Sequence, residues 1–148
     1  MFKRILVPID GTPRSQRAVK YAADIARVHG GSLVIYHMSP SYHPPYVVDP
    51  YSAAQWLPEA QYFEEAKTES KKLLAKAQKA AAAKRVTAKV EHTFGDTPAN
   101  AILVAAKKAR ADSIVMASHG RRGLEKLFLG SETQKVLGKT KLPVLVVR

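Results

Sequence analysis

Cysteine is absent from the 148 residues of this chain, which excludes disulfides, thiolate metal sites and thiol catalysis. No apolar run approaches the roughly 20 residues that a membrane-spanning helix needs. The opening residues, from Met1 to Pro8, lack the apolar core of a signal peptide. We therefore expect a cytoplasmic protein that does not bind membranes. The length and a hydrophobic content of 46% fit one globular domain over residues 1–148.

Acidic residues are scarce, because 12 Asp and Glu face 24 Lys and Arg and leave a formal net charge of +12. Such a charge attracts nucleotides, nucleic acids and acidic proteins alike, so it does not indicate which of them is the partner. Much of the excess lies between Glu64 and Lys89, in a segment with the composition of a helix. A solvated helix face is the simplest account of this segment, and a surface for nucleic acid or an acidic partner is the alternative.

Apolar runs alternate with helix-like segments along the chain. The predicted strands are residues 5–9, 32–38, 86–93, 113–117 and 143–147, and the predicted helices are residues 13–28, 59–83, 98–109 and 131–137. Thr12 and Thr97 each precede a proline, a pattern typical of a helix start. The alternation predicts an α/β fold, a five-stranded parallel doubly wound sheet with helices on both faces.

A glycine-bearing basic loop joins the fourth predicted strand to the last predicted helix. It runs from Met116 to Ser131 and contains three glycines, Gly120, Gly123 and Gly130. Glycine adopts backbone angles closed to other residues and lets an anion approach backbone amides. Ligands of α/β sheets bind at the carboxyl ends of strands, where this loop begins. We therefore predict a phosphate site, with an ordinary strand-to-helix connection as the alternative.

The helix that follows this loop points to the same chemistry. Ser131 and Gln134 form the Ser-x-x-Gln pattern of a capping box, so we expect the free amides of this helix start to face a ligand in the loop. Three basic side chains would add countercharge there, namely those of Arg121, Arg122 and Lys126.

These segments together resemble the universal stress protein family, as a single domain, over nearly the whole chain. Besides the loop, residues 5–12, 33–38, 95–99 and 142–147 are similar to family segments. Members that bind ATP carry Gly, two residues, Gly, nine residues, Gly and then Ser or Thr. Here the motif reads Ala117, Gly120, Gly130 and Ser131, so alanine stands at the first glycine position. If that position needs a positive φ, alanine is strained by roughly 1 kcal/mol; if it needs only a small side chain, alanine fits.

The resemblance implies the adenine nucleotide alpha hydrolase-like fold and a nucleotide-binding stress-response or signalling module. Its implied cofactor is ATP, with Mg²⁺ as a bridging ion that no protein ligand cluster predicts. The implied nucleotide-binding residues are Pro8, Ile9, Asp10, Met38, Ala117, Ser118, Gly120, Arg121, Arg122, Gly123, Gly130, Ser131 and Glu132. A homodimer through the last strand, from Pro143 to Val147, is also implied. Asp10 has a second interpretation, because an aspartate beside Gly11 at a strand end fixes a turn.

No pattern in the chain predicts strong catalysis. Both the Walker lysine motif and a pyrophosphatase-type Ser-Gly-Gly loop are missing. His119 is a candidate base, but we expect it to be a surface residue or a phosphate hydrogen-bond donor. The remaining histidines lack the spacing of metal ligands, so no metal site is predicted.

Two functions remain as hypotheses. The first is a dimeric ATP-binding module without strong catalysis, for which slow hydrolysis stays open and nucleic acid is not an expected partner. The second is a basic interaction protein that leaves the loop empty and contacts nucleic acid or an acidic partner.

Overall fold

A computed structural model describes residues 1–44, 58–119 and 129–148 of the chain. Strands and helices alternate as β1 Arg4–Ile9, α1 Pro13–His29, β2 Ser32–Ser39, α2 Glu59–Ala82, β3 Ala88–Phe94, α3 Pro98–Lys108, β4 Ser113–Ala117, α4 Ser131–Lys139 and β5 Val144–Val147. The predicted α/β class is confirmed, with bounds that differ by one or two residues. Among the described helices, none is both long and apolar enough to cross a membrane.

The strands form one five-stranded parallel sheet in the order β3-β2-β1-β4-β5. From β1 the chain moves outward to β3 and then returns to the other side of β1 at β4. The strand order therefore reverses between β1 and β4. At such a reversal the connecting loops diverge and leave a crevice at the carboxyl ends of the strands.

Helices cover both faces of the sheet. One core, against α1 and α2, includes Ile5, Val7, Ile35, Leu74 and Val115. The other core, against α3 and α4, includes Leu6, Tyr36, Ile102, Ile114 and Val136. Alternate side chains of β1 and β4 enter opposite cores, which is why these strands are apolar at nearly every position.

The outer strand β3 is covered less completely than its apolar alternation suggests. Val86, just before the strand, is buried, whereas the Val90 side chain is 40% exposed. Because β3 lies at the edge of the sheet, it has a neighbouring strand, β2, on one side only.

The predicted threonine caps have different outcomes. Thr12 caps α1 as expected, since its hydroxyl accepts a 3.2 Å hydrogen bond from the Ser15 amide. Thr97 stands at the cap position of α3 but makes no capping hydrogen bond through its side chain. The Ala99 amide in the first turn of α3 instead donates to Glu132 of α4, at 2.8 Å.

Candidate functional site

The start of α4 is held against the end of β4 by a small hydrogen-bonded unit. The Gly130 amide donates to the Ser118 carbonyl at 2.8 Å. The Thr133 hydroxyl lies 3.1 Å from the Ala117 carbonyl and 3.2 Å from the Ser118 carbonyl. We call Ser118, Gly130 and Thr133 the clasp. It fixes both ends of the glycine loop at the point where the strand order reverses.

The clasp also involves the neighbouring strand. The Ser118 amide donates to the Val147 carbonyl at the end of β5, at 2.7 Å. Both backbone groups of Ser118 are therefore engaged, and its side chain is buried. Thr133 is buried as well and was not among the predicted site residues. Its only signal in the sequence is a hydroxyl in the first turn of a short helix, which many helices share.

Gly130 is required for a reason different from the one predicted. Its φ of −59° and ψ of 148° are open to any residue, so no special backbone angle is involved. A Cβ at this position would lie 3.1 Å from the Ser118 carbonyl oxygen and 3.3 Å from the His119 Cα. Close approach of two backbone segments therefore explains the glycine.

The predicted capping box at the start of α4 is wrong. Gly130 is the N-cap, Ser131 is the first helical residue, and no side chain makes a capping hydrogen bond. The Gln134 side chain donates instead to the Leu129 carbonyl at 2.7 Å. An α-helix leaves its first amides without partners in the helix, and here no described side chain caps them. Together with the positive end of the helix dipole, this start suits an anion.

Glu132 connects α4 to α3 rather than presenting its charge to the loop. Besides the bond from Ala99, its carboxylate accepts a 2.7 Å hydrogen bond from Lys135. Burial alone would raise the pKa of Glu132, but the hydrogen bonds from Lys135 and Ala99 and the charges of Lys135 and Lys139 outweigh it and lower that pKa. The carboxylate next to the predicted phosphate position is thus compensated by its own partners.

Asp10 fixes the turn that leaves β1. Its Oδ1 accepts hydrogen bonds from the Thr12 amide at 3.0 Å and from the Thr12 hydroxyl at 2.7 Å. Between them, Gly11 has a φ of 86°, which favours glycine. The geometry supports the turn interpretation of Asp10. A ligand role remains compatible with it, because an ionised carboxylate offers about four lone-pair positions.

Two residues lie at and just beyond the end of β4. His119 is buried, with 8% of its surface exposed, so it is not the surface residue that was one of two expectations. The other expectation, a phosphate hydrogen-bond donor, stays a prediction. The His119 Nδ1 lies 3.1 Å from the Ser118 hydroxyl. Ala117 is the last residue of β4 and has no positive φ, so of the two possibilities considered for alanine the strained one does not arise.

The remaining predicted residues divide into two groups. Pro8, Ile9 and Met38 lie at the carboxyl ends of β1 and β2, where Ile9 is buried and the other two are half-buried. Four predicted residues, Gly120, Arg121, Arg122 and Gly123, lie outside the described residues. Within the described ranges, no three side chains of the metal-binding types come together.

A family model described as the universal stress protein family matches residues 1–148. The chain is 36% identical to a universal stress protein of Thermus aquaticus encoded 3′ of a QAH/OAS sulfhydrylase, with 100% of both chains covered. It is 34% identical to universal stress protein YxiE of Bacillus subtilis, again with 100% of both chains covered.

Solved structures share the fold. Universal stress protein UspA from Lactobacillus plantarum superposes with a TM-score of 0.81 at 25% identity, over 99% of this chain and 98% of that one. A universal stress protein from Archaeoglobus fulgidus in complex with dAMP gives a TM-score of 0.72 at 20% identity, over 98% and 97%. A universal stress protein in complex with cAMP gives 0.67 at 23% identity, over 99% and 97%. At these last two identities, the likeness shows the fold alone.

Proposed function

Because this chain belongs to the universal stress protein family, we propose that it binds ATP in the crevice between the ends of β1 and β4. The observation that carries the proposal is the start of α4, which has no side-chain cap and is held by the clasp at the strand-order reversal. Helix starts of this kind bind phosphate through backbone amides and the helix dipole. The relatives of the same fold that hold dAMP and cAMP support an adenine nucleotide.

Different residues would contact different parts of the nucleotide. The amides of Ser131 and Glu132 would hold phosphate oxygens, while the Gly130 amide stays bonded to the Ser118 carbonyl. The half-buried carboxylate of Asp10 would accept hydroxyl hydrogens of the ribose. Met38 would contact the adenine end. Mg²⁺ would neutralise the phosphates and take its other ligands mainly from water, because the described residues provide no cluster of metal ligands.

The proposed role is signalling by occupancy, without strong catalysis. Transfer or hydrolysis of the γ-phosphate needs a group that orients the attacking nucleophile and charge that stabilises the transition state. The one base candidate in the described part of the loop, His119, is buried against Ser118. We propose that bound ATP changes the shape or the partner affinity of a cytoplasmic homodimer.

Titration calorimetry with Mg-ATP on nucleotide-stripped protein tests the site. We expect saturable binding in the micromolar range, and a loss of at least about tenfold in Gly130→Val, because the new side chain meets the backbone of Ser118 and His119. Gly138→Val is the matched control: Gly138 lies near the other end of α4, and a Cβ there meets no atom within 4 Å.

Circular dichroism of both variants checks that the fold persists. Absence of binding in the unaltered protein would reject the proposal, as would equal affinity in Gly130→Val and Gly138→Val.

A further inference from the structure

The outer side of β3 offers unpaired backbone groups. The Leu33 amide donates to the Thr87 carbonyl, and the Gly95 amide donates to the Ser39 carbonyl. In a strand, the backbone amide and carbonyl of every second residue point to the same neighbouring strand. Here the backbone groups of odd-numbered residues therefore point to β2, and those of even-numbered residues point away from it. The Ala88 carbonyl agrees with this, since it accepts a 2.7 Å hydrogen bond from the Gln78 side chain instead of from a strand.

Beyond Ala88, the backbone amides and carbonyls that point outward are those of Val90, His92 and Phe94. No described segment pairs with β3 on this side, which is the edge of the sheet. The strand is seven residues long, enough to template another strand.

Helix α2 runs antiparallel along this edge and places lysines beside it. Near one end of β3 the Phe63 and Phe94 rings lie 4.8 Å apart, and near the other end Gln78 reaches Ala88. Lys67 is one turn beyond Phe63, and its charge, after the larger effect of burial, lowers the pKa of His92. Residues four apart share a helix face, so the exposed Lys71 follows next, alongside the middle of β3.

Positive charge flanks the edge on both faces of the sheet. On the α2 side, Lys79 and Arg85 line a depression of about 570 Å³ that continues to Ala88. On the opposite side lies Lys89, because side chains alternate along a strand and Glu91, two residues on, meets Lys108 of α3 at 3.7 Å. We call the outward backbone of β3 with Lys71, Lys79, Arg85 and Lys89 the basic edge.

The charge of the basic edge is uncompensated in the described part of the chain. None of its four cations has a salt bridge there, whereas Lys67 pairs with Glu64 at 3.0 Å. The sequence from residue 71 to residue 89 contains no Asp or Glu. The nearest acidic residues are Glu69, two residues before Lys71, and Glu91, which shares the Lys89 face and pairs with Lys108. The cations of the basic edge therefore outnumber the acidic side chains beside the open backbone of β3.

We propose that the basic edge binds an acidic segment of a partner protein, which adds to β3 as an extended strand. The outward amides and carbonyls of β3 would supply main-chain hydrogen bonds. Alternate side chains of an added strand point to opposite faces, so its carboxylates would meet Lys71 and Lys79 on one face and Lys89 on the other. This binding goes beyond the nucleotide site and does not depend on it.

The charge distribution excludes a second copy of the chain as the preferred occupant. Pairing two β3 strands would bring the same cations of both copies together, which is destabilising. Nucleic acid would satisfy the charges, and its phosphate oxygens would accept hydrogen bonds from the outward amides, but its phosphates offer no donors for the outward carbonyls.

Fluorescence anisotropy of the full chain with a labelled peptide tests this assignment. The probe repeats Glu-Glu-Thr-Thr over the length of β3, so that it presents glutamates to both faces of the sheet. We expect it to bind, and we expect the double variant Lys71→Glu with Lys89→Glu to bind it about tenfold or more weakly. The control is Lys20→Glu with Lys141→Glu, which changes the net charge equally at exposed positions outside the basic edge.

Two further comparisons separate strand addition from simple charge attraction. The same peptide with alternate N-methylated amides keeps its carboxylates but cannot pair, so it should bind at least about tenfold more weakly. Val90→Pro removes an outward amide without removing a hydrogen bond to β2, and it should weaken binding as well. No binding of the probe at low salt would overturn the proposal. Equal binding of the methylated peptide, or tighter binding of a thymidine oligonucleotide at the same residues, would also overturn it.

Discussion

At residue 117 the chain carries alanine where the ATP-binding motif of the family has glycine. The residue is the last of β4, pairs with Val147 of β5, and leaves only 9% of its surface exposed. A strand residue with ordinary backbone angles has no need of glycine. Alanine therefore fits the backbone at this position without strain.

Ala117→Gly restores the motif and should leave the affinity for Mg-ATP unchanged. The free energy of unfolding should fall by about 0.5–1 kcal/mol, because glycine loses more backbone entropy in a strand than alanine does. Calorimetry and urea unfolding of the two proteins measure these quantities. A clear gain in affinity would mean that the methyl group of Ala117 obstructs the nucleotide.

The residues of the site were predictable to different degrees. Gly130 followed from the spacing of the motif, but its physical reason, contact with Ser118 and His119, needs the fold. Thr133 and the buried ring of His119 were missed, because burial at the end of a strand depends on which helix packs there. A single sequence contains no local signal for that packing.

At the scale of elements, the starts of α3 and α4 are coupled. The carboxylate of Glu132 in α4 accepts a hydrogen bond from the Ala99 amide of α3. It thereby provides a partner for the start of α3, where the Thr97 side chain makes no capping hydrogen bond. Local patterns, such as the expected threonine cap of α3, describe a helix and its own flanking residues. They do not include a partner supplied from another helix, which explains the missed bond at the start of α3.

The lowered pKa of Glu132 predicts a contribution to stability that depends on pH. Because the pKa is lower in the folded than in the unfolded protein, the contribution is present above about pH 4.3, the ordinary glutamate value, and is lost as the pH falls through the folded pKa. Glu132→Gln should lower the free energy of unfolding at pH 7 by about 1 kcal/mol, a value reduced for solvent screening. Urea unfolding of the unaltered protein and of Glu132→Gln at pH 7 and pH 4 measures the difference between their free energies of unfolding. This difference should be smaller at pH 4.

Glu69→Gln provides the control, because Glu69 is an exposed glutamate of α2. Its effect should be small at both pH values. A Glu132→Gln difference that stays constant between pH 7 and pH 4 would contradict the assigned role.

For the molecule as a whole, alternating apolar runs and helix starts were enough to predict the parallel sheet. Burial on both faces makes β1 and β4 apolar throughout, and this signal is local. The order β3-β2-β1-β4-β5 could not be read in the same way, because it depends on where each crossover returns. For the same reason, the sequence did not reveal that the weakly covered β3 is an outer strand.

The dimer proposal gives a prediction for the whole molecule. β5 is the other edge of the sheet, and its Leu145 side chain is 39% exposed. Sedimentation at micromolar concentration should give twice the 16.2 kDa of one chain, and Leu145→Lys should give one chain, because a charge would be buried between two copies.

Val104→Lys is the matched control, since Val104 is an exposed residue of α3, 66% accessible, away from the sheet edge. It should leave the dimer intact. A single-chain species in the unaltered protein would contradict the dimer.

The two edges of this sheet have unlike chemistry, and that difference limits how copies of the chain can join. An open-ended filament requires one edge to accept the other, so that each added copy exposes a new place for growth. Here one border consists of valine and leucine, while the other is lined by lysines and an arginine that form no salt bridge with any described residue. Such borders do not complement each other. Under the dimer proposal, like would pair with like only at the apolar border, so we expect assembly to stop at a closed pair rather than grow into fibrils.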